Sequence, residues 1–458
     1  MSELNPTVMK FGGTSVGDVA AFERVFRIVS EQIDKQPVVV TSAMTKVTDA
    51  LLFAFDSARK NEPELGFESL KPHFERHVEV AEHYLSNETK ANFYKELERT
   101  KNDLSELLER VSRRSLPVQL LKDVVVAYGE QLSSRLLTEV LRSKGINAHH
   151  ADSRRLIMTD DEHGAANPIW DETEKIIQLE LNSLIKNGEV PVMGGFIAAS
   201  RSGETTTLGR GGSDYSAALV AAALRARELQ IWTDVTGVMT CDPRIAPEAY
   251  TIPTLSYEEA AELAYFGAKV LHPKTIQPAV DFSIPVRVCN SWKPNEIGTM
   301  VLATSGEAPN KIKSIASKKG ITILRITSAR MLGSYGFMSA LFQVFERHRT
   351  VIDVISTSEV SLALTLDNTD SLDQIVNDLK RLGEVEVEQG NAVICVVGEG
   401  LRSTSGLAAK LFSTISDINI PLISHGASSV NVTFVVKEEV VNEVIKRLHG
   451  AFFTEKVE

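Results

Sequence analysis

The chain has 458 residues, 43% hydrophobic and 24% charged, the balance of a soluble globular protein with material for about three domains. Lys and Arg total 49 against 60 Asp and Glu, a net charge of −11, which argues against nucleic-acid and membrane partners, since both call for a basic field. No apolar run approaches the roughly 20 residues that span a bilayer, and residues 1–9 lack a secretory pattern, so a cytoplasmic protein is expected. Cys241, Cys289 and Cys395 are too far apart for a Cys-x-x-Cys motif and read as buried free thiols. His73 and His77, flanked by Glu75 and Glu79, lack a His-Glu-x-x-His pattern and read as a solvated helix face. No protein-ligated metal is expected.

In chain order, residues 1–60 read strand, glycine turn, helix, strand, helix. Residues 7–11 are short and apolar, Gly12-Gly13-Thr14-Ser15 turns, residues 19–29 have helical spacing, and Gln36-Pro37 opens a strand at Val38-Val39-Val40. Residues 189–193 and 229–233 are further strands, each before a glycine-containing turn. Strands alternating with helices predict an α/β fold, an open and mostly parallel sheet with helices on both faces. Between these, residues 60–115 are charge-dense and helical in period, with Leu97, Leu104, Leu108 and Val111 on one face. This excursion is expected to be a lid or a solvent-facing helical hairpin.

After residue 305 the composition changes. Residues 305–310 read as a linker. Beyond them Gly336, Leu341, Phe342, Ser358 and Val360 match Gly406, Leu411, Phe412, Ser428 and Val430 at an offset of 70, too long for most solenoid repeats. Each copy reads as a βαββαβ module. The expected layout is residues 1–305 as one α/β domain, 312–388 as a first module and 389–458 as a second.

Four segments carry chemistry. Lys10-Phe11-Gly12-Gly13-Thr14-Ser15 ends a strand and opens a helix, so backbone N–H groups and a lysine could meet an anion; an ordinary tight turn is the alternative. Gly12 and Gly17 have P-loop separation, but Asp18-Val19 follows instead of Lys-Ser/Thr, and no G-x-G-x-x-G is present. Thr205 to Ser216 holds Arg210 among Gly209, Gly211 and Gly212, where a guanidinium can grip a carboxylate or phosphate bidentately. Ser213 or Asp214 is expected to cap the Ala-rich helix that follows. Trp232-Thr233-Asp234-Val235, with Asp242-Pro243-Arg244 beyond it, ends a strand where open α/β sheets bind ligands. Phe266-Gly267-Ala268-Lys269-Val270-Leu271-His272-Pro273 adds another lysine near small residues. Basic groups gathered in one cleft of an acidic protein suit a polyphosphate.

These four segments, in this order, resemble the signature segments of aspartate kinases, and the paired C-terminal modules resemble that family's ACT domains. The resemblance covers essentially the whole chain. It implies transfer of the ATP γ-phosphoryl group to the β-carboxylate of L-aspartate, with Mg²⁺ held mainly by phosphates and water. The residues agree with that chemistry, because a carboxylate nucleophile is ionised at pH 7 and needs no general base. By matching position, Lys10 and Asp214 are expected to be catalytic, with Lys10, Gly12, Gly13, Ser15, Thr233, Asp234, Met239, Arg244 and Lys269 on the nucleotide. Ser42, Thr48, Glu130, Phe196, Arg210, Gly212 and Ser213 are expected around aspartate, Arg210 on its α-carboxylate and Glu130 on its ammonium. Two positions depart from the pattern: Met239 stands where many relatives have a tyrosine, and Lys46 where a small residue is expected. Another amino-acid kinase of the superfamily, or a non-catalytic amino-acid sensor, is the alternative.

In the first module the helix after Met331-Leu332-Gly333-Ser334-Tyr335-Gly336-Phe337-Met338 offers N–H groups to a carboxylate. Asp353 and Glu359, in the run from Ile352 through Ser358, offer acids to a cation. A basic effector suits that pair, and it resembles the lysine-sensitive branch, so L-lysine is the expected inhibitor. Met331, Ser334, Phe337, Met338, Ile352, Asp353, Ser358 and Glu359 form the expected effector site. The second module has His425-Gly426-Ala427-Ser428-Ser429 there and reads as a packing partner. A homodimer or dimer of dimers through the modules is expected.

Overall fold

The computed structural model describes residues 4–113, 117–267, 271–304 and 311–453, which form two compact units. The first holds residues 4–238, 253–257 and 271–304 as described; the second holds residues 239–252, 258–267 and 311–453. The expected boundary at 305 is corrected: residues 239–252 and 258–267 fold with the C-terminal modules. The expected linker, 305–310, lies outside the described residues.

The first unit carries β1 (Thr7–Phe11), β2 (Pro37–Thr41), β3 (Ala148–His150), β4 (Met158–Thr159), β5 (Val190–Gly194), β6 (Ile197–Ser200), β7 (Thr205–Thr207), β8 (Glu228–Thr233), β9 (Thr254–Ser256), β10 (Val286–Asn290) and β11 (Thr299–Leu302). Eight of them form a sheet in the order β3-β5-β2-β1-β8-β10-β11-β9, and β4-β6-β7 form a small second sheet. Every pair in the large sheet is parallel except β10 with β11. β2, with its run of three valines, is buried at all five positions, as a strand covered on both faces requires. The helix Val19–Ser30 starts where the Asp18 carboxylate accepts from the Ala21 N–H at 2.8 Å, a side-chain N-cap.

Register decides where the chemistry collects. Phe11 pairs with both Thr41 and Trp232, and Thr41 pairs with Gly194. The carboxyl ends of β1, β2, β5 and β8 therefore stop level, and the turns after them open on one edge, where such sheets bind ligands.

The excursion forms the helices Pro63–Glu68, Lys71–Tyr84 and Asn87–Ser112. It is neither a lid nor a solvent-facing hairpin. Phe74, Leu97, Leu104, Leu108 and Val111 belong to the same apolar cluster as Met9, Phe11 and Val39, so these helices are part of the core. The solvated face expected for His73 and His77 is also corrected. His77 is 1% exposed, its Nδ1 lies 2.7 Å from the His73 carbonyl oxygen, and burial pushes its pKa down to about 4. It shares the buried stripe of Phe74 and Ala81, three and four residues away.

The second unit carries β12 (Ile312–Thr327), β13 (Ile355–Thr357), β14 (Ser361–Leu366), β15 (Glu384–Gly398), β16 (Leu422–His425) and β17 (Asn431–Lys437), in the order β13-β14-β12-β15-β17-β16. β12 and β15 run through both modules, with register shifts between Lys318 and Ile323. Leu324 and Ile326 pack with Leu341, Leu364 and Ile375, whereas Ile312 and Ile315 pack with Leu411, Phe434 and Ile445. The modules interleave. The strand expected to open the first module at 312 instead completes the sheet of the second, and the break falls at the register shifts. Cys241, Cys289 and Cys395 are free and buried.

Candidate active site

A cavity of about 410 Å³ opens at the level strand ends, lined among others by Lys10, Ser42, Thr48, Glu130, Phe196 and Arg210. Lys10, at the end of β1, places its ammonium 2.7 Å from Asp214 Oδ1, with the two side chains only 12% and 19% exposed. The pair is partly withdrawn from water, so the charge is less screened than on an open surface. Gly13 is there because two backbones meet: a Cβ on it would stand 2.9 Å from the Ala43 carbonyl oxygen.

The loop after β2 forms the facing wall. The Ser42 N–H donates to the Phe11 carbonyl at 3.0 Å, and the Ser133 hydroxyl donates to the Ser42 carbonyl. Thr45 Oγ1 donates to the Gly13 carbonyl at 2.7 Å. Lys46 adopts φ 64° before the helix Val47–Arg59, a left-handed position that disfavours most side chains; this accounts for a small residue being the expectation there. Glu130 is 3% exposed. Its Oε1 accepts from the Ala43 N–H at 3.2 Å, and its Oε2 has no hydrogen-bond partner among the described residues. Burial pushes its pKa up to about 8.

The third wall is the turn Gly209–Gly212. Gly211 sits at φ 72°, and a Cβ there would meet Thr275 Cγ2 at 2.6 Å. The expected side-chain cap is corrected: Gly211 is the N-cap of the helix Gly212–Leu224 and no side chain caps it. Asp214 is turned to Lys10 instead, which leaves the positive end of the helix facing the cavity. Arg210 is exposed. Phe196 holds φ 66°; its N–H donates to Ser216 Oγ at 2.9 Å and its carbonyl accepts from the Leu208 N–H at 2.9 Å. A non-glycine residue so constrained marks a strained wall.

The other expected nucleotide residues are distributed. Gly12 donates its N–H to the Trp232 carbonyl at 3.1 Å. Ser15 is buried, with Oγ 2.9 Å from Ser291 Oγ and 3.4 Å from the Trp232 carbonyl; its hydroxyl braces the turn and does not line the cavity, against the expectation. Thr233 Oγ1 donates to Asp234 Oδ1 at 3.2 Å at the end of β8. Met239 and Arg244 fall in the second unit, where Arg244 forks Asp242 with Nη2 to Oδ2 at 2.7 Å. Lys269 lies outside the described residues.

In the first module the helix Phe337–Arg347 has Gly336 as N-cap and no side-chain cap. Met331, Phe337, Met338 and Ile352 pack on the module core. Ser358 and Glu359 are exposed, Ser358 Oγ being 2.6 Å from Ser361 Oγ. Ser334 is exposed as well. The Asp353 side chain is 1% exposed, accepts from the Tyr265 hydroxyl, and lies 3.8 Å from Lys318 Nζ, which is itself 2.6 Å from Asp367. Lys318 also sits 4.6 Å from the Tyr265 ring centroid, within cation–π reach. Sequence reasoning missed Tyr265 and Lys318, which come from outside the module's motif.

The amino acid kinase family profile matches residues 5–290, and an ACT domain profile matches residues 394–452. Lysine-sensitive aspartokinase 3 of Escherichia coli is 38% identical over 462 residues, covering 99% of this chain and 100% of that protein. A solved structure of Escherichia coli aspartokinase III with aspartate and ADP superposes with a TM-score of 0.83 at 37% identity, over 98% of this chain and 100% of the other. The same enzyme with lysine and aspartate also gives 0.83 at 37% identity, over 98% and 99%.

Proposed function

The chain belongs to the amino acid kinase family, as an aspartokinase, and from that premise we propose how its cavity carries out the reaction. It is an ATP-dependent kinase acting on L-aspartate. The single observation that carries the site assignment is the cavity itself. Lys10, Arg210 and a helix N-terminus supply positive charge around a buried carboxyl group whose second oxygen is unpartnered.

On this reading Arg210 clamps the α-carboxylate of aspartate and Glu130 takes its ammonium. The β-carboxylate is thereby aimed at the γ-phosphorus. An approaching ammonium supplies the charge that Glu130 lacks and draws its proton off, so the acid ionises as substrate arrives. Lys10, oriented by Asp214, meets the transferring phosphoryl group, with the turn at Gly13 and the Gly212 helix end on its oxygens. The attacking carboxylate is ionised at neutral pH, so positioning and charge stabilisation are the whole task. Thr233 and Asp234, at the end of β8, hold the nucleotide. On the same reading Mg²⁺ would be held mainly by the nucleotide phosphates and water.

We further infer that L-lysine inhibits through the first module, its carboxylate at the Gly336–Met338 helix start and its side-chain ammonium at Asp353. Tyr265, bonded to Asp353, ends a helix whose Glu259 pairs with Lys313 at 2.9 Å. That helix leads directly into the segment bearing Lys269, so a ligand that takes Asp353 from Tyr265 would bias the nucleotide segment. Exposed Leu332, Tyr335, Val351, Ile355 and Val360 concentrate on the same module, an apolar surface suited to a second copy of the chain. Three free buried thiols fit a reducing compartment, and we assign the chain to the cytoplasm.

ADP release measured with aspartate, glutamate and N-acetylglutamate tests the substrate assignment. Turnover with aspartate alone is expected; preference for either of the others would overturn it.

A further inference from the structure

The helix Lys71–Tyr84 sits in the excursion, yet one of its charged side chains turns toward the reacting end of the first unit. Arg76 is half-buried. Its Nη2 donates to the Thr45 carbonyl at 2.6 Å and its Nη1 to the Gly17 carbonyl at 3.4 Å. Thr45 in turn donates its hydroxyl to the Gly13 carbonyl at 2.7 Å. Gly13 and Gly17 bracket the short turn Gly13–Val16 that follows Lys10, and Thr45 lies in the loop between Ser42 and Thr48. One guanidinium thus ties together two loops that, with Lys10, line the cavity.

The junction has no slack. Besides the Gly13 contact described above, a Cβ on Gly17 would stand 3.0 Å from Thr45 Oγ1. Next to Thr45, Lys46 occupies a left-handed backbone position, which most side chains disfavour. Charge-assisted bonds to main-chain carbonyls supply the restraint from outside. His73 completes the arrangement, with Nδ1 2.7 Å from Arg76 Nη2. Arginine can only donate, so that nitrogen carries the lone pair, and the fork is fixed on its outer edge as well.

We propose that Arg76 is a positioning residue for phosphoryl transfer, holding the Ser42–Thr48 loop against the turn after Lys10. It does not line the cavity and acts through Thr45. The proposal rests on the reading of the cavity as the aspartate and phosphate site. The geometry needs a planar fork that reaches two carbonyls, which a lysine's single ammonium does not reproduce. Without it the loop carrying the aspartate contacts and the turn carrying the phosphate contacts are free to separate, and small separations are expensive in a reaction that depends on alignment.

The test compares wild type with Arg76→Ala, Arg76→Lys, Thr45→Val and the Arg76→Ala/Thr45→Val double variant, measuring kcat, both KM values and the thermal melt. Arg76→Ala is expected to lower kcat/KM for aspartate by roughly 10- to 100-fold, with the KM for ATP changed less than that for aspartate and a cooperative melt retained. Arg76→Lys should recover only part of the loss, and Thr45→Val should reproduce it in smaller degree. The double variant should be no worse than Arg76→Ala, because both act through one path. Millimolar guanidinium ion should restore part of the Arg76→Ala activity. Unchanged constants in Arg76→Ala would overturn the proposal. So would a loss that only tracks the unfolded fraction, with both KM values unchanged and no rescue. If Arg76→Ala does not fold, wild-type constants in both Arg76→Lys and Thr45→Val overturn it. A wild-type chain without aspartate turnover overturns the cavity reading and the proposal together; wild-type turnover with an indifferent Arg76→Ala overturns the proposal alone.

Discussion

Two buried carboxyl groups, one in each unit, are proposed to receive an amino acid's ammonium, and they are prepared for it in opposite ways. Glu130 in the kinase cavity has one oxygen on a backbone N–H, the other without a partner, and a pKa pushed up to about 8 by burial. Asp353 in the first module is also raised by burial, but it already accepts from Tyr265 and faces the internal cation Lys318. On the proposed reading Glu130 has no cation paired to it among the described residues and takes one from the ligand. Asp353 has a cation of its own beside it, so on the proposed reading an effector's ammonium would have to displace it, which would set the concentration at which the site responds.

The widest gap between the two regions is expected from Lys10→Ala. It should lower kcat by at least about 10³-fold while circular dichroism and the melt stay native. A kcat near normal would remove Lys10 from the chemistry. Glu130→Gln should raise the aspartate KM by roughly 100-fold with little change for ATP. It should also raise the melting temperature by roughly a few degrees at pH 9 and hardly at all at pH 5. The sign follows from linkage: the folded state holds the Glu130 proton between its ordinary range and about pH 8, so stability falls as pH rises through that window. Over the same window the aspartate KM should fall as pH rises and level off above about 8. A KM rising toward pH 8 would contradict the ammonium assignment. Asp353→Ala should abolish inhibition by lysine, read as activity at saturating lysine. The smallest effect is expected from Lys318→Ala. Removing the internal competitor should lower the lysine concentration for half-inhibition by roughly several-fold; a rise would mean that Lys318 assists binding.

The kinase cavity was largely legible in the sequence because its signals are local. A lysine at a strand end, glycines where two backbones touch, and an arginine between glycines each declare themselves within a few residues. Arg76 and Ser133 leave no such trace, since they act on main-chain carbonyls that carry no sequence mark. Ser15 shows the converse. A hydroxyl in a phosphate-like turn reads as a ligand, and only the approach of Ser291 and the Trp232 carbonyl reveals it as a brace. His77 was readable in principle, because it shares the stripe of Phe74 and Ala81, but two histidines among acids suggested solvent. The interleaving of the modules was not readable. The repeat at an offset of 70 begins at Gly336, beyond residues 312–319, and nothing local says which half of a 16-residue strand belongs to which core.

The most direct measurement incubates the chain with ATP, L-aspartate and hydroxylamine, with and without L-lysine, and reads aspartate hydroxamate. An acyl phosphate formed on the β-carboxylate is trapped as hydroxamate, so the account predicts product that depends on both ATP and aspartate, lost in Lys10→Ala and suppressed by lysine. Absence of hydroxamate from the wild-type chain would contradict the central claim.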